Sequence, residues 1–342
     1  MSGGTDSSVA AMLLQEQGYE VVGVTFRFFD EQKDTESPHI QEARELASKL
    51  NIEHHTYDAR TTFQTKVIDY FINEYLSGRT PFPCVQCNNF LKWNFLFSLA
   101  DKYSCEKIAT GHYARITEKD KFFYISEAKD NKKDQTFFLW GLPQHILQRT
   151  VLPLGNFTKT EIRKMAAEKG FARIAEKKDS MGICFCPGNY RDFLKKQDIV
   201  KPNIKKGNFV SEDGTFLGRH ESYFFYTVGQ RYGLGINLKT PVFVKEIIPD
   251  KNKVVLASIE KMSQNEILLE NYNLVNKEDI AESSGIFVKI HYRKEPIPIK
   301  KINIIAENKL LVELKMPAVG VAPGQSAVFY RDGLVLGGGV IK

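Results

Sequence analysis

The first 110 residues alternate between helix-like and strand-like segments. Apolar residues at helical spacing over residues 8–17 are followed by Gly18, where a helix would end, and then by a Val- and Phe-rich run at 20–28. The alternation continues with helix-like patterns at 40–50, 62–75 and 89–103 and strand-like patterns at 52–57 and 107–110. Because parallel strands need crossover connections, which are usually helical, this order predicts an α/β domain built on a doubly wound parallel sheet.

The pattern changes after about residue 200, where strand-like runs replace helices and are separated by turns rich in Gly, Pro and Asn-Lys. These runs predict one or two small all-β domains with a break near 260–270. The predicted strands are Tyr223–Thr227, Pro241–Ile248, Lys253–Ala257, Ile286–Tyr292, Ile302–Ile305, Leu310–Lys315 and Ser326–Tyr330.

Composition narrows the class of protein. Five cysteines in 342 residues is a low and odd number, which argues against a disulfide scaffold and for a reducing compartment. No segment approaches the roughly 20 apolar residues of a membrane span, and the N-terminus lacks the features of a secretory signal. We therefore predict a cytoplasmic protein with no membrane partner. The net charge of +6 is compatible with nucleic acid binding but does not require it.

A glycine-containing segment, Ser2-Gly3-Gly4-Thr5-Asp6-Ser7-Ser8, stands directly before the first helix pattern. Glycines allow a tight turn whose N–H groups point inward, and the helix N-terminus adds partial positive charge. The segment therefore predicts a phosphate site. No Lys follows it, so it is not a Walker A loop. The simpler interpretation is a flexible N-terminus with a Ser helix cap.

Four of the five cysteines form two clusters, Cys84/Cys87 and Cys184/Cys186, while Cys105 stands alone and is interpreted as structural. Three interpretations remain open from the residues alone. The thiols could be small buried hydrophobic groups. They could form a four-thiolate zinc or iron–sulfur site. One cysteine from each cluster could instead carry out redox sulfur transfer, ending in a disulfide.

Several segments of the sequence resemble known motifs. The Ser2–Ser8 string resembles the pyrophosphate loop of N-type ATP pyrophosphatases, which cleave ATP to AMP and pyrophosphate. The segments around the cysteines and in the later β region resemble, in order, those of the tRNA-specific 2-thiouridylases. The segments that carry this second resemblance are 80–88 (TPFPCVQCN), 109–115 (ATGHYAR), 133–139 (KDQTFFL), 179–185 (DSMGICF), 227–231 (TVGQR) and 322–327 (APGQSA).

This resemblance implies three domains. They are an adenine nucleotide alpha hydrolase-like catalytic domain over 1–200, a small central domain over 201–265, and a C-terminal β barrel that binds tRNA over 266–342. In the family a strand precedes the pyrophosphate loop, whereas here Met1 stands immediately before Ser2. We therefore expect an additional segment upstream of residue 1.

The implied reaction is 2-thiolation of the wobble uridine, position 34, of tRNA. ATP with Mg²⁺ would adenylate the uracil O2, and a cysteine persulfide would supply the sulfur. The partners would be tRNA and a persulfide donor, such as a cysteine desulfurase or a sulfur relay protein. The resemblance implies that Cys184 carries the persulfide and that Cys87 then forms a disulfide with it.

The resemblance also assigns binding residues. The nucleotide would be contacted by Met1, Ser2, Gly3, Gly4, Thr5, Asp6, Ser7, Phe26 and Gly111. The tRNA would be contacted by Phe82, Pro83, Cys84, His112, Lys133, Asp134, Gln135, His291, Tyr292 and Gln325. Asp134 could also help to hold Mg²⁺, and no other metal ligand is assigned.

The sequence departs from the family pattern at three positions. Cys84 stands where Asp is common, Phe82 replaces a common Asn, and Cys186 is an additional thiol. The extra thiol keeps a zinc or iron–sulfur cluster at Cys84, Cys87, Cys184 and Cys186 open. An ATP-dependent ligase acting on a small metabolite and a non-catalytic tRNA-binding protein also remain open. A non-catalytic protein, however, would not need the intact glycine loop.

Overall fold

The computed structural model describes residues 1–30, 37–176, 182–238 and 240–342. Within them, the α-helices are α1 (Thr5–Glu16), α2 (Pro38–Lys49), α3 (Arg60–Phe63), α4 (Asp69–Leu76), α5 (Pro83–Cys87), α6 (Trp93–Lys102), α7 (Gln144–Leu147), α8 (Lys159–Glu168), α9 (Ala172–Ala175) and α10 (Tyr190–Lys196). Two π-helical turns occupy Gln64–Ile68 and Asn88–Lys92. The 3₁₀ turns are Thr136–Phe138, Pro153–Asn156, Lys201–Asn203, Tyr223–Phe225, Pro249–Lys251, Ile259–Met262 and Lys277–Ile280.

The strands of the described residues follow the same chain order. They are β1 (Val22–Arg27), β2 (Glu53–Asp58), β3 (Ile108–Ala109), β4 (Arg115–Lys119), β5 (Phe122–Ser126), β6 (Thr150–Val151), β7 (Gly207–Val210), β8 (Phe216–His220), β9 (Phe243–Ile248), β10 (Lys253–Ala257), β11 (Ser263–Leu274), β12 (Phe287–Lys289), β13 (Ile297–Ala306), β14 (Lys309–Val319), β15 (Ser326–Arg331) and β16 (Leu334–Ile341).

The first compact unit of the chain comprises Met1–Val67, Val85–Met181 and Gly333–Val335. Its strands β1 and β2 pair in parallel, as do β3 and β6, whereas β4 and β5 form an antiparallel hairpin. This unit contains the glycine loop and the predicted nucleotide contacts. Its parallel pairs agree with the α/β interpretation of the first 110 residues.

Helix α1 is buried on two sides within the first unit, because its apolar side chains belong to two separate clusters. Val9 and Leu13 belong to a cluster with Leu154 and Ile162, and Ala11 packs separately with Ala47 and Ile52. Burial on both sides fixes the helix, and therefore also fixes the loop that enters its N-terminus.

The second compact unit comprises Ile68–Cys84, Gly182–Asp332 and Leu336–Lys342. Strands β8, β7, β10 and β9 form a four-stranded sheet in that order. Strands β11, β14, β13, β12, β15 and β16 follow one another in a second sheet, and β11 also pairs with β16, so these six strands close into a barrel. Because β11 and β16 pair with each other, neither end of this six-stranded series is left unpaired.

Two expectations about secondary structure need correction. The predicted strand at Tyr223–Thr227 is wrong, because Tyr223–Phe225 forms a 3₁₀ turn. Phe224 and Phe225 are adjacent and both buried, whereas a strand with one buried face would bury only every second residue. The helix patterns at 62–75 and 89–103 are helical but not continuous α-helix, because each contains or adjoins a π-helical turn.

Candidate active site

The glycine loop is shaped by close packing around Gly3. Gly3 has a φ of +66°, and a Cβ there would lie 2.9 Å from both the Glu42 Cβ and the His39 carbonyl oxygen. Only glycine tolerates this combination without strain. The Ser7 hydroxyl accepts a hydrogen bond from the Ser2 N–H at 3.1 Å, which draws the loop around the start of α1. The loop therefore presents backbone N–H groups at a helix N-terminus, an arrangement suited to phosphate.

Asp6, in the first turn of α1, is held by two donors from distant parts of the first unit. The Tyr113 hydroxyl donates to Asp6 Oδ1 at 2.8 Å. The Lys159 ammonium lies 2.7 Å from Oδ1 and 2.9 Å from Oδ2 of the same carboxylate. The Lys159 side chain is only 10% exposed and the Asp6 side chain 35%, so the ammonium is buried while the carboxylate stays partly accessible beside the loop.

Gly111 lies against the same helix turn. A Cβ at Gly111 would be 2.8 Å from the Asp6 carbonyl carbon and 2.9 Å from the Ser7 nitrogen. Any side chain at this position would therefore displace the start of α1. Gly111 is thus adjacent to the residues predicted to bind phosphate, although its contact with the nucleotide stays a prediction.

The neighbouring His112 is buried and neutral. Its Nδ1 lies 2.7 Å from the Thr110 hydroxyl, and its ring stacks on Trp93 with a centroid distance of 6.0 Å. Burial, with a smaller contribution from the Lys92 cation, lowers the pKa of His112 to about 3. A contact of this residue with tRNA would therefore use a neutral imidazole rather than a charged one.

Two further residues predicted to bind the nucleotide lie at strand β1. The Met1 carbonyl accepts a hydrogen bond from the Thr25 hydroxyl at 2.7 Å. Phe26 stacks on Phe28 at 5.3 Å and packs against Phe95 at 5.9 Å. The aromatic cluster gives Phe26 a fixed ring, as an adenine contact would require.

The predicted tRNA-binding loop at Lys133–Gln135 is held by hydrogen bonds from residues outside it. Asp134 accepts from the Ala128 N–H at 2.9 Å and from the Thr136 hydroxyl at 2.5 Å, and burial raises its pKa. The Gln135 side-chain oxygen accepts from the Tyr113 N–H at 2.9 Å. These contacts give Asp134 and Gln135 positioning roles within the loop, and their contacts with tRNA or Mg²⁺ stay predictions.

Cys184 lies on a tight turn in the second unit. The Cys186 N–H donates to the Ile183 carbonyl at 3.0 Å and closes the turn. Phe185 is buried and packs edge-on against Phe71 at 5.3 Å and Phe193 at 5.4 Å, while Cys184 is exposed. The turn therefore anchors its neighbouring side chains and presents one thiol to solvent. The motif residues 179–181 lie outside the described residues.

The remaining cysteines have different surroundings. Cys186 is buried, and its burial raises the pKa of its thiol, which disfavours the reactive thiolate. Cys84 and Cys87 are both half-buried in the short helix α5, which begins at Pro83. All five cysteines are thiols rather than disulfides in this structure.

Gln325 and His291 belong to the second unit. The Gln325 side-chain amide donates to the Thr80 carbonyl at 2.9 Å and the Pro81 carbonyl at 3.3 Å, so this residue secures the loop that leads to Phe82. His291 lines a cavity of about 190 Å³, and burial lowers its pKa. The ring centroid of Tyr292 lies 6.0 Å from the guanidinium of the next residue. Their contacts with tRNA stay predictions.

Across the described ranges, no three His, Cys, Asp or Glu side chains are grouped so that they could hold a metal ion. The zinc or iron–sulfur interpretation therefore has no ligand set in the part of the chain that the structure describes. Mg²⁺ needs fewer protein ligands, because it is usually bound through one or two carboxylates together with substrate phosphates and water. The partly exposed Asp6 carboxylate, at 35% exposure, fits such a role.

Tyr113 and Lys159 are parts of the site that the sequence patterns did not indicate. Tyr113 stands inside the segment 109–115, but only its neighbours Gly111 and His112 were predicted to bind. Lys159 follows Thr158 and precedes Glu161 in a capping box, which is present in the structure and begins α8. That signature could have located the helix start. It could not have shown that Lys159 reaches Asp6, which is 153 residues away in sequence.

The fold and the loop define an enzyme class: a nucleotide-binding α/β domain with a pyrophosphate loop, joined to two β domains. Three family models match in succession, described as "tRNA methyl transferase HUP domain" over residues 1–188, "tRNA methyl transferase PRC-barrel domain" over 191–258 and "Aminomethyltransferase beta-barrel domain" over 264–341. These matches confirm the predicted fold class.

Similar proteins give the family. The chain is 50% identical to tRNA-specific 2-thiouridylase MnmA 2 of Phocaeicola vulgatus, over 100% of this chain and 96% of that protein. It is 50% identical to MnmA 1 of Bacteroides fragilis (100% and 95%) and 44% identical to MnmA of Cytophaga hutchinsonii (100% and 96%). The chain therefore belongs to the tRNA-specific 2-thiouridylase MnmA family and is an enzyme of that family, which confirms the resemblance.

One solved structure, NMN synthetase from Francisella tularensis, is 18% identical with a TM-score of 0.34 and covers 52% of this chain and 63% of that one. That similarity is too low to support a conclusion. None of the helices in the described residues has the length and apolar character that crossing a membrane requires.

Proposed function

We propose that the chain catalyses ATP-dependent 2-thiolation of the wobble uridine, position 34, of tRNA. Membership of the 2-thiouridylase family supports the reaction, and the loop before α1 supports the use of ATP. The observation that carries the sulfur chemistry is the turn at Ile183–Cys186, because it exposes the thiol of Cys184 while Phe185 and Cys186 are buried. A thiol that receives sulfur from another protein must be accessible in this way.

The first step is adenylation of the uracil O2. Backbone N–H groups of the loop Ser2–Ser7 bind the phosphates, and Met1, Phe26 and Gly111 contact the remainder of the nucleotide. The O2 oxygen attacks the α-phosphorus, and pyrophosphate leaves. Mg²⁺, held by Asp6 and the phosphates, would supply charge neutralisation of the departing pyrophosphate. The uracil C2–oxygen bond then carries AMP as its leaving group.

The second step moves sulfur. A Cys184 persulfide attacks C2 with its terminal sulfur, and AMP departs with the original oxygen. The Cys87 thiolate then attacks the Cys184 sulfur and breaks the S–S bond. The electron pair of that bond goes to the sulfur on C2, which gives 2-thiouridine and a Cys87–Cys184 disulfide. A thiol reductant restores both cysteines for the next cycle. Cys84 keeps an accessory role in this scheme, as a tRNA contact or base.

Substrate binding requires tRNA to present an unstacked base, because the reacting atoms of a stacked uridine are not accessible. We assign this task to the contacts that the resemblance implies. They are Phe82, Pro83, Cys84, His112, Lys133, Asp134, Gln135, His291, Tyr292 and Gln325. Recognition by shape and loop contacts suits a modification enzyme for one anticodon position. We propose that the three domains span 1–200, 201–265 and 266–342.

The sulfur donor would be a persulfide-carrying protein such as a cysteine desulfurase or a sulfur relay protein, and the compartment the cytoplasm. The exposure of Cys184 supports a protein donor because thiol exchange needs direct access of one sulfur to another. The low cysteine content agrees with a reducing compartment.

The test is mass spectrometry of tRNA after incubation with the full chain, ATP, Mg²⁺ and a persulfide donor. We expect 2-thiouridine at position 34, with one AMP formed per modified tRNA, and no product when ATP is omitted. Unmodified tRNA in the complete mixture, with a donor shown to be active on a related enzyme, would contradict the proposal. AMP formation without sulfur incorporation would limit the failure to the sulfur step.

A further inference from the structure

The ion pair between the buried Lys159 ammonium and the partly exposed Asp6 carboxylate is not explained by stability alone. Asp6 is in the first turn of α1, where a carboxylate is already stabilised by the helix dipole. Burying a lysine costs desolvation energy, and replacing a buried ion pair by apolar side chains is often neutral or stabilising. Holding α1 in place therefore does not account for the position of Lys159, and another explanation is required.

The backbone around Lys159 is fixed by hydrogen bonds within the protein. Lys159 is the first residue of α8, and the Thr158 hydroxyl and Glu161 carboxylate form a capping box around it. The Lys159 N–H also donates to Asp130 Oδ2 at 2.9 Å. Because the backbone is fixed, the ammonium of Lys159 is restricted to a small region, as a binding residue usually requires.

The Lys159 ammonium lies beside the glycine loop that is predicted to bind phosphate. Asp6 is one of the loop residues, and its uncompensated carboxylate would repel a triphosphate approaching the same helix N-terminus. The Lys159 ammonium, 2.7 Å from this carboxylate, offsets that repulsion. Its three donors and flexible four-carbon stem allow it to bind phosphate oxygens as well.

We propose that Lys159 binds the phosphates of ATP and is a component of the adenylation site. This inference rests on the proposed ATP-dependent function. The ammonium keeps Asp6 paired when the nucleotide is absent and contacts phosphate oxygens when ATP is bound. Asp6 is then available to a divalent cation, while the Tyr113 hydroxyl keeps its carboxylate oriented.

The experiment compares five full-length proteins: wild type, Asp6→Asn, Lys159→Met, Lys159→Arg, and the double variant Asp6→Asn/Lys159→Met. Calorimetric titration measures the Kd of each for ATP and, separately, for adenosine, and thermal unfolding confirms that each is folded. Asp6→Asn leaves the buried Lys159 ammonium without its carboxylate partner, and the double variant removes that charge as well. If Asp6→Asn fails to fold, the same comparison is made between Lys159→Met and the wild type.

We expect the double variant to bind ATP about 10- to 100-fold more weakly than Asp6→Asn, as expected for a lost contact between a cation and phosphate. Binding of adenosine should be the same in both. Lys159→Arg, which keeps the charge, should recover part of the affinity for ATP. This pattern assigns Lys159 to the phosphates, because a purely structural role would weaken both ligands equally.

Equal ATP affinity in Asp6→Asn and the double variant would overturn the inference, since Lys159 would then serve Asp6 alone. An equal loss of affinity for ATP and adenosine would also overturn it. If the folded wild type binds no ATP, the proposed function fails instead, so the two failures are distinguishable.

Discussion

Asp6 in the first unit is held by polar donors, whereas Cys184 in the second is held through the apolar side chain next to it. Asp6 receives a hydroxyl hydrogen bond from Tyr113 and an ion pair from Lys159. Cys184 is exposed, and its turn is fixed by the burial of Phe185. Directional bonds fix the orientation of a carboxylate, which the proposed role of Asp6 as a cation ligand would require. The proposed exchange of sulfur at Cys184 would instead require a rigid support and an accessible thiol.

Removing the apolar support should have the largest effect. Phe185→Ala deletes a ring that packs on Phe71 and Phe193, and we expect a loss of about 3–5 kcal/mol in the free energy of unfolding. Sulfur loading of Cys184 per folded molecule should also fall, because the turn loses its anchor. Chemical denaturation and peptide mass spectrometry after treatment with a persulfide donor measure the two effects.

The matched control is Phe216→Ala, since Phe216 is 57% exposed and should tolerate truncation with little change. If Phe185→Ala unfolds at the same denaturant concentration as the control, Phe185 does not anchor the turn. Apolar packing would then not be what holds the Cys184 turn, and the contrast between the two regions would fail.

Removing one polar donor should have a smaller effect that is confined to the ATP step. Tyr113→Phe deletes the hydroxyl that donates to Asp6 at 2.8 Å. We expect the free energy of unfolding to fall by about 1.5 kcal/mol. This is the lower end of the range for a hydrogen bond to a charged group, because Asp6 is 35% exposed. If the bond orients Asp6 for the reaction, AMP formation should slow about tenfold.

Sulfur loading of Cys184 should be unchanged in Tyr113→Phe, which makes this variant the counterpart of Phe185→Ala. Tyr19→Phe, at an exposed position, is the control for loss of a tyrosine hydroxyl. An unchanged rate of AMP formation with altered sulfur loading would reverse the assignment of the two regions.

The polar region should also respond to pH through His112. Its pKa is lowered to about 3 in the folded state by burial, while the unfolded value is about 6.5. The unfolded chain therefore takes up a proton first as the pH falls, so stability is complete above pH 6.5 and declines below it. At pH 5.5 the loss from this residue should be about 1.4 kcal/mol.

Denaturant unfolding of the wild type and His112→Gln between pH 7.5 and 5.5 tests this expectation. The variant should show a shallower decline in the free energy of unfolding with decreasing pH. Parallel declines in the two proteins would mean that the imidazole does not become buried and neutral on folding.

Much of the fold followed from local patterns, and the exceptions have local causes. The predicted helix over 8–17 and strand over 20–28 correspond to α1 and β1, because apolar spacing and a following glycine mark them. The hairpin β4–β5 was missed. Its turn has Asp120 and Lys121 at positive φ, where glycine is the usual residue. Because no glycine stands there, the sequence gives no signal for the hairpin.

The candidate site was predictable only in part. The glycine loop and Cys184 lie in continuous motifs that can be read residue by residue. The pairing of Asp6 with Lys159 depends on how α1 and α8 pack, and no local pattern encodes that contact. The burial of Cys186 beside an exposed Cys184 likewise depends on the turn and not on the spacing of the two thiols.

Labelled sulfur followed through one turnover tests whether Cys184 carries the sulfur that reaches tRNA. The protein is loaded with a persulfide that carries radioactive sulfur, freed from donor, and mixed with tRNA in the presence or absence of ATP. We predict that the label passes from Cys184 to the tRNA only with ATP, that Cys184→Ser acquires no transferable label, and that Cys105→Ser behaves as the wild type. Labelled tRNA from the Cys184→Ser protein would contradict the assignment of Cys184 as the sulfur carrier.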